Sequence, residues 1–416
     1  MKRYDSYKDS GVEWIGEIPS HWDGISLGKI GVLYGGLTGK SGDDFRSEDF
    51  HRNKPYIPFT NIFNNTYISK EQFQYVHIES DEIQNRVEKY DLFFLMSSES
   101  YEDLGKCSIL VDDVEELYLN SFCKGFRVHN KKVSPLFLNY QLVGDSHKKL
   151  ISIEGNGFTR INLRQDRLKE TPIFIPPLSE QQQIVSFLDS KTSQIDELIQ
   201  KKERKIELLK EKRLKLIEEI ILNPNILRVR LGFISEITER PVNRVDDKFY
   251  TKVGMYNWGR GIFKYPEVLG LDLGDSTFNY LKEGDLLLSG QFSWEGSVSL
   301  VGLEEVGCIS SHRFHILNGK KGVVLNEYLW SYFTSGEGHF ILNENSPGSA
   351  GRNKPLNIGK LLKEKIPLPD LKVQQEFKEL FVEYKKVENY TVKSIELLKE
   401  YRQSLISEVV TGKIKP

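Results

Sequence analysis

Two stretches of the chain carry mainly apolar residues at alternating steps of three and four. In the first, the inward positions run 184, 188, 191, 195, 198, 202, 206, 209, 213, 216 and 220. In the second they run 373, 377, 380, 384, 387, 391, 395, 398, 402, 405 and 409. Neither run contains Gly or Pro, so the spacing predicts two long amphipathic helices, each with one seam for a partner helix. The alternation breaks once in each, at the same place, with two consecutive steps of four. Such a stutter locally unwinds a supercoil. Lys191, Lys202 and Arg213 stand on the first seam, which is therefore not uniformly dry. Two seams of equal length most simply pair with each other. They should run antiparallel, because a whole domain connects them.

The segments before the helices follow another pattern. Each is roughly 150 residues of short strand-like runs, Gly-rich turns and scattered aromatics. A proline-containing extended stretch ends each one. IPPLSEQQQIVSFL at 175–188 matches LPDLKVQQEFKELF at 368–381, pairing Pro176 with Pro369, Leu178 with Leu371, Gln181 with Gln374 and Gln182 with Gln375. Upstream, KYDLFFLMS (89–97) matches EGDLLLSGQ (283–291), pairing Asp91 with Asp285. GNGFTRINL and GSAGRNKPL precede the proline stretches. Downstream, LLKEKRLKLIEEI (208–220) matches LLKEYRQSLISEV (397–409), with Arg213 on Arg402. Matches in one order make the chain a duplication. The expected fold is α+β, with a pseudo-two-fold internal repeat: globular domains at 1–178 and 224–371, and long antiparallel coiled-coil helices at 179–223 and 372–412. The first 22 residues have no counterpart and are expected to fold back beside the C-terminal VTGKI.

A length of 416 residues fits two or three domains. The longest apolar runs, such as LFFLM at 92–96, fall far below the ~18 residues of a membrane span. The N-terminus is charged and lacks the apolar core of a signal peptide, so a cytoplasmic protein is expected. Cys107, Cys123 and Cys308 stand too far apart in sequence for a spaced metal site. His312 and His315 lie three apart in a strand-like run and should face opposite ways, so no metal is expected. Lys and Arg total 57 against 59 Asp and Glu, a net charge of −2. Near-neutrality argues against simple non-specific DNA binding and allows a reader whose phosphate contacts come largely from partners.

No catalytic residues are expected. YGGLTGKS (34–41) misses a phosphate-loop pattern because Tyr34 stands where glycine is needed, so it reads as a glycine-rich turn. NPNI at 223 departs from an adenine-methyltransferase loop at Asn225 and reads as a helix-ending turn. The basic run at 201–215 reads as a solvated coiled-coil face with Glu–Lys pairs.

YKDSGVEWIGEIPSHW at the start, the IPPLSEQQ-to-helix junction and the terminal SLISEVVTGKI together resemble the specificity subunits of type I restriction–modification enzymes. The resemblance covers the whole chain in order, and departs from it at LPDLKVQQEF, where Val373 takes the place of Glu180. It implies two target recognition domains joined by the helices, and a subunit that is not itself catalytic. Such a subunit binds double-stranded DNA, two methyltransferase subunits and, in the full enzyme, restriction subunits. S-adenosylmethionine, ATP and Mg would then sit on partners and no cofactor on this chain. The two halves differ in sequence, so their half-sites should differ, giving a bipartite asymmetric target for adenine methylation and cleavage by partners. A self-sufficient methyltransferase or nuclease, or a coiled-coil scaffold without DNA specificity, are the alternatives.

Arg reads guanine and Asn or Gln reads adenine, so DNA contact is sought in loops rich in these groups and aromatics. In the first half SSESYED (97–103) and GNGFTRINLR (155–164) offer Ser98, Tyr101, Asn156, Thr159, Arg160 and Arg164. In the second, YNWGRG, GQFSWEG and GSAGRNK offer Asn257, Arg260, Gln291, Trp294, Arg352, Asn353 and Lys354.

Overall fold

The run Leu92–Leu95 is apolar at every position because both faces of its sheet are covered. Leu92 and Phe94 enter one core with Phe126 and Leu138, while Phe93 and Leu95 enter another with Ile57 and Leu119. Alternating strand side chains, each side buried, leave no polar face to write into the sequence. Leu286–Ser289 repeats the device. Leu286 and Leu288 join Leu317 and Tyr328 on one side, and Leu287 joins Val253 and Ile316 on the other.

The structure, a computed structural model, describes residues 2–45, 53–348 and 354–416. It divides into two compact units, Met1–Ile199 with Ser394–Pro416, and Gln200–Lys393. The first is built on an antiparallel sheet in the order Gly31–Gly35, Cys123–Val128, Leu92–Leu95, Cys107–Ile109. The second has a sheet of the same form, Ser235–Ile237, Phe314–Gly319, Leu286–Ser289, Val298–Leu300. A pair of short helices covers each sheet, Pro135–Val143 and Asp145–Ser152 in one unit, Asn326–Phe333 and Gly336–Glu344 in the other. Mixed helix and strand, twice over, make the fold α+β as expected.

The duplicated residues turn out to be structural. Buried Gln181 accepts from the Ser134 N–H at 2.7 Å and donates to the Lys132 and Pro176 carbonyls at 2.8 Å each. Gln374 accepts from the Leu325 N–H at 2.8 Å and donates to Val323 at 3.1 Å and Pro369 at 2.8 Å. Each glutamine thus ties the proline stretch to the entrance of a covering helix. Asp91 accepts from Arg127 at 2.9 and 2.7 Å and from the Tyr34 hydroxyl at 2.6 Å. Burial and that carboxylate push the Tyr34 phenol well above its ordinary range, keeping it a donor. Asp285 instead accepts from Arg240 at 2.7 and 2.5 Å and from Asn318 at 2.9 Å. Asn318 holds the strand position of Arg127, so the guanidinium reaches the buried carboxylate from a different segment.

The long helices span Leu178–Leu222 and Leu371–Val410. In the first unit, Ile184, Val185 and Leu188 share a core with Leu405, Ile406, Val409 and Val410, and Asp196 lies 3.1 Å from Arg402. In the second, Lys202 lies over the Tyr390 ring at 4.9 Å and Lys210 over Tyr384 at 5.8 Å, while Ile217 and Ile220 join Phe377. Both units therefore hold their helix segments antiparallel. The expected seam holds along the second helix but not at 191 and 198. Lys191 is exposed and Leu198 is 43% exposed, while Thr192, Ile195 and Ile199 are buried. An unpaired lysine is costly to bury. Thr192 can go inward because its hydroxyl donates to the Leu188 carbonyl at 2.8 Å.

Arg213 does sit inward. It donates to Thr334 Oγ1 at 2.7 Å and the Ser331 carbonyl at 3.3 Å, with its guanidinium 4.5 Å from the Trp330 ring centre. Burial pushes it down to about 10. Elsewhere the basic run is solvated, with Arg204 paired to Glu207 at 3.1 Å and Glu211 at 2.9 Å. The chain ends meet as expected. The Lys415 N–H donates to the Lys2 carbonyl at 2.9 Å, and the Tyr7 hydroxyl to that of Gly412 at 3.2 Å. This segment also accounts for Glu180, which accepts from Trp22 Nε1 at 3.0 Å and lies 2.8 Å from His21 Nε2. The second half has no such segment, and Val373 packs on its core instead.

Candidate nucleic-acid interface

In the first unit one glycine organises the site. Gly157 has φ of +138°, and a Cβ there would stand 2.1 Å from the Arg160 carbonyl oxygen, so the turn requires glycine. The turn lets Gly155–Asn156 pair with Ile161–Leu163, which in turn pairs with Ser97–Ser98. The two candidate loops, far apart in sequence, thereby become neighbours on one small sheet. Between them lies a cavity of about 520 Å³ lined by Phe59, Phe63, Ser98, Glu99, Phe122, Thr159 and Arg160, among others. Arg160 donates to Ser97 Oγ from Nη2 at 3.0 Å and lies 5.6 Å from the Phe122 ring centre. Held on an aromatic face, a guanidinium keeps its edge free to donate. Tyr101 reaches the Gly157 carbonyl at 3.5 Å, and Asn156 is exposed on the strand beside it. Arg164 is not part of this group. It pairs with Asp166 at 3.0 and 2.6 Å, ahead of the helix Gln165–Glu170.

In the second unit the loops at 256–261 and 290–296 are joined through their backbones. The Trp258 N–H donates to the Glu295 carbonyl at 3.0 Å, and that of Gly259 to Gly296 at 2.9 Å. Trp258 has φ of +61°, an uncommon conformation for a bulky residue. Its ring stacks on His339 with centres 5.1 Å apart. Asn257 donates its amide to the Glu295 carboxylate, and Arg260 Nε to the Asn257 carbonyl at 2.9 Å. Trp294 Nε1 donates to the Gln291 carbonyl at 3.1 Å, while Lys354 lies 4.7 Å from the Trp294 ring centre. Asn257, Arg260, Gln291, Trp294 and Lys354 thus belong to one group. Arg352 and Asn353 lie outside the described residues.

Sequence reasoning missed several neighbours of these loops. Phe122 is 60% exposed at the first cavity. It precedes Cys123, which faces Leu95; Arg313 precedes Phe314, which faces Ser289 in the second unit. Their equivalence follows from the strand register of the two sheets, which the sequence repeat alone does not supply. The glycine-rich turn at 34–41 carries no free phosphate ligand of lysine type, since Lys40 pairs with Glu82. Among the described residues no group of three His, Cys, Asp or Glu side chains is placed to hold a metal ion. No helix among them is long and apolar enough to cross a membrane.

Two differently furnished loop clusters on one repeated framework define a class of duplicated α+β domain protein. The profile of the type I restriction modification DNA specificity domain matches residues 19–208 and again 229–398. The chain belongs to that family. It is 30% identical over 203 residues to the "Putative type I restriction enzyme MjaX specificity subunit" of Methanocaldococcus jannaschii, a match covering 47% of this chain and 44% of that protein. The chain therefore spans less than half the length of that relative. A chain from a solved type I R-M system, described for its complex assembly and conformational transition, is similar over 95% of this chain and 99% of its own, with a TM-score of 0.62. At 15% identity that likeness concerns the fold. The HsdS subunit from Thermoanaerobacter tengcongensis gives a TM-score of 0.49 at 15% identity, over 95% of this chain and 98% of its own.

Proposed function

We propose that this chain is the non-catalytic, DNA-reading specificity subunit of a type I restriction–modification enzyme. The observation that carries this beyond family membership is the repeated placement of unlike loops. One framework presents Ser98, Thr159, Arg160 and Phe122 in the first unit, and Asn257, Arg260, Gln291, Trp294 and Lys354 in the second. Arg, Asn and Gln side chains can read base edges in the major groove, and aromatic rings hold them in place. Unlike furniture on equivalent frames supports two unlike half-sites, hence a bipartite asymmetric target.

The chemistry belongs to partners. Two methyltransferase subunits would bring S-adenosylmethionine, and restriction subunits ATP and Mg. Near-zero net charge supports that division, since partners then supply much of the grip on phosphates. The subunit acts in the cytoplasm, where DNA and those partners meet. The pure chain with labelled S-adenosylmethionine and target DNA should transfer no methyl groups, and should do so once its methyltransferase is added. Mass measurement of the assembled complex should give two methyltransferase copies per chain. Methyl transfer by the chain alone would contradict the reading.

A further inference from the structure

Of the charged groups around the first-unit cavity, one pair is matched and two groups are left without an ion-pair partner among the described residues. Asp103 is neutralised by Lys106 at 2.8 Å and accepts from Ser100 Oγ at 2.7 Å. Lys106 itself lies 3.7 Å from the Phe63 ring centre. Arg160 rests on Ser97 and Phe122 and, among the described residues, has no carboxylate partner. Glu99 lines the same cavity, is exposed, and among the described residues makes no ion pair or side-chain hydrogen bond. An unpaired carboxylate is a poor choice for a surface that meets phosphates, because like charges repel. It becomes useful if it meets a hydrogen-bond donor instead. In the major groove the base-edge donors are exocyclic amines, N4 of cytosine and N6 of adenine.

Resting on the DNA-reading function proposed above, we infer that Glu99 is a specificity-determining residue. Its carboxylate accepts a hydrogen bond from the exocyclic amine of a cytosine or adenine in one half-site, beside the base edge that Arg160 approaches. An ionised carboxylate has only acceptors. It therefore selects bases presenting an amine and rejects thymine and guanine, whose O4 and O6 would face it with lone pairs. Phe59, Phe63 and Phe122 line the same cavity, and a base without an amine would leave its edge and the carboxylate unpaired there.

The test compares the wild-type chain with Glu99→Gln and Glu99→Ala, each expressed with its methyltransferase, by genome-wide mapping of methylated sites. Binding to synthetic duplexes is measured in parallel. In Glu99→Gln the amide can also donate, so one position of one half-site should become degenerate, admitting a base with a carbonyl edge. Discrimination at that position should fall by roughly 5- to 150-fold, with the other half-site unchanged. The base lost from strict selection tells cytosine from adenine. An unchanged motif with tighter binding would mean the carboxylate faces a phosphate, and overturns the assignment. Loss of the methyltransferase complex from a folded variant would place Glu99 against that protein, and also overturns it. If the wild-type chain yields no sequence motif, the DNA-reading function itself fails, and this inference with it.

Discussion

Replacing Gln181 by methionine keeps the side chain's length and removes every hydrogen bond that it makes. The Ser134 N–H and the Lys132 and Pro176 carbonyls would then be left without the partner they have at 2.7, 2.8 and 2.8 Å. Gln181 is fully buried, so water cannot readily take its place. Each orphaned buried group costs about 1 kcal/mol or more, giving ~3–5 kcal/mol for the three. Gln374→Met should cost a similar amount, because its three partners lie at 2.8, 3.1 and 2.8 Å. Native-state hydrogen exchange followed by mass spectrometry reads such local openings. Gln181→Met should speed exchange in the helix Pro135–Val143 by ~100-fold or more, and Gln374→Met in Asn326–Phe333. Acceleration below tenfold in both variants would refute the claim that these duplicated glutamines are the ties holding each junction.

Three further outcomes are expected. Burial holds His147 down at about 4, whereas an unfolded imidazole protonates near 6.5, so between those values the unfolded chain binds the extra proton. Stability should be intact above about pH 6.5 and decline by ~3 kcal/mol as pH falls to 4, and His147→Leu should flatten that part of a denaturation-against-pH curve. Arg160→Ala should weaken specific binding by ~1–3 kcal/mol and relax one half-site only, with Arg352→Ala acting on the other; equal loss across both halves in duplex competition would show that neither reads bases. Duplicating Glu207–Lys210 adds ~6 Å of helix, so mapped methylation sites should keep both half-sites with a gap longer by one or two base pairs, and a matching insertion beside Leu398 is the second arm. An active variant with an unchanged gap would show that helix length is not the ruler.

The repeat was the most legible feature of the sequence, because duplicated cores must reuse the same buried groups. Gln181 with Gln374 and Asp91 with Asp285 mark equivalent structural points. The helix seams were legible where apolar residues dominate and failed at Lys191 and Leu198. There the neighbours Thr192 and Ile199 go inward instead; the polar threonine bonds back to its own helix, and leucine and isoleucine are equally apolar, so hydrophobicity alone gives no sign of the shift. The candidate loops were picked out by their residue types, but their convergence in the first unit depends on strand pairing between Ser97–Ser98 and Ile161–Leu163, which local sequence does not encode. Arg164 shows the same limit, since an adjacent Asp166 claims its guanidinium. Phe122 was passed over because it lies outside both candidate loops, and Glu99, inside SSESYED, because amides, arginines and aromatics were sought there rather than carboxylates.

In the proposed function, two unlike loop clusters on one repeated frame read two unlike DNA half-sites for a partner's chemistry. Genome-wide mapping of methylated adenine, in cells expressing this chain with its methyltransferase, tests it most directly. A split motif should emerge, with two different specified segments separated by a fixed unspecified gap, and it should vanish when the chain is omitted. Methylation without a motif, a symmetric motif, or the same motif without this chain would contradict the account.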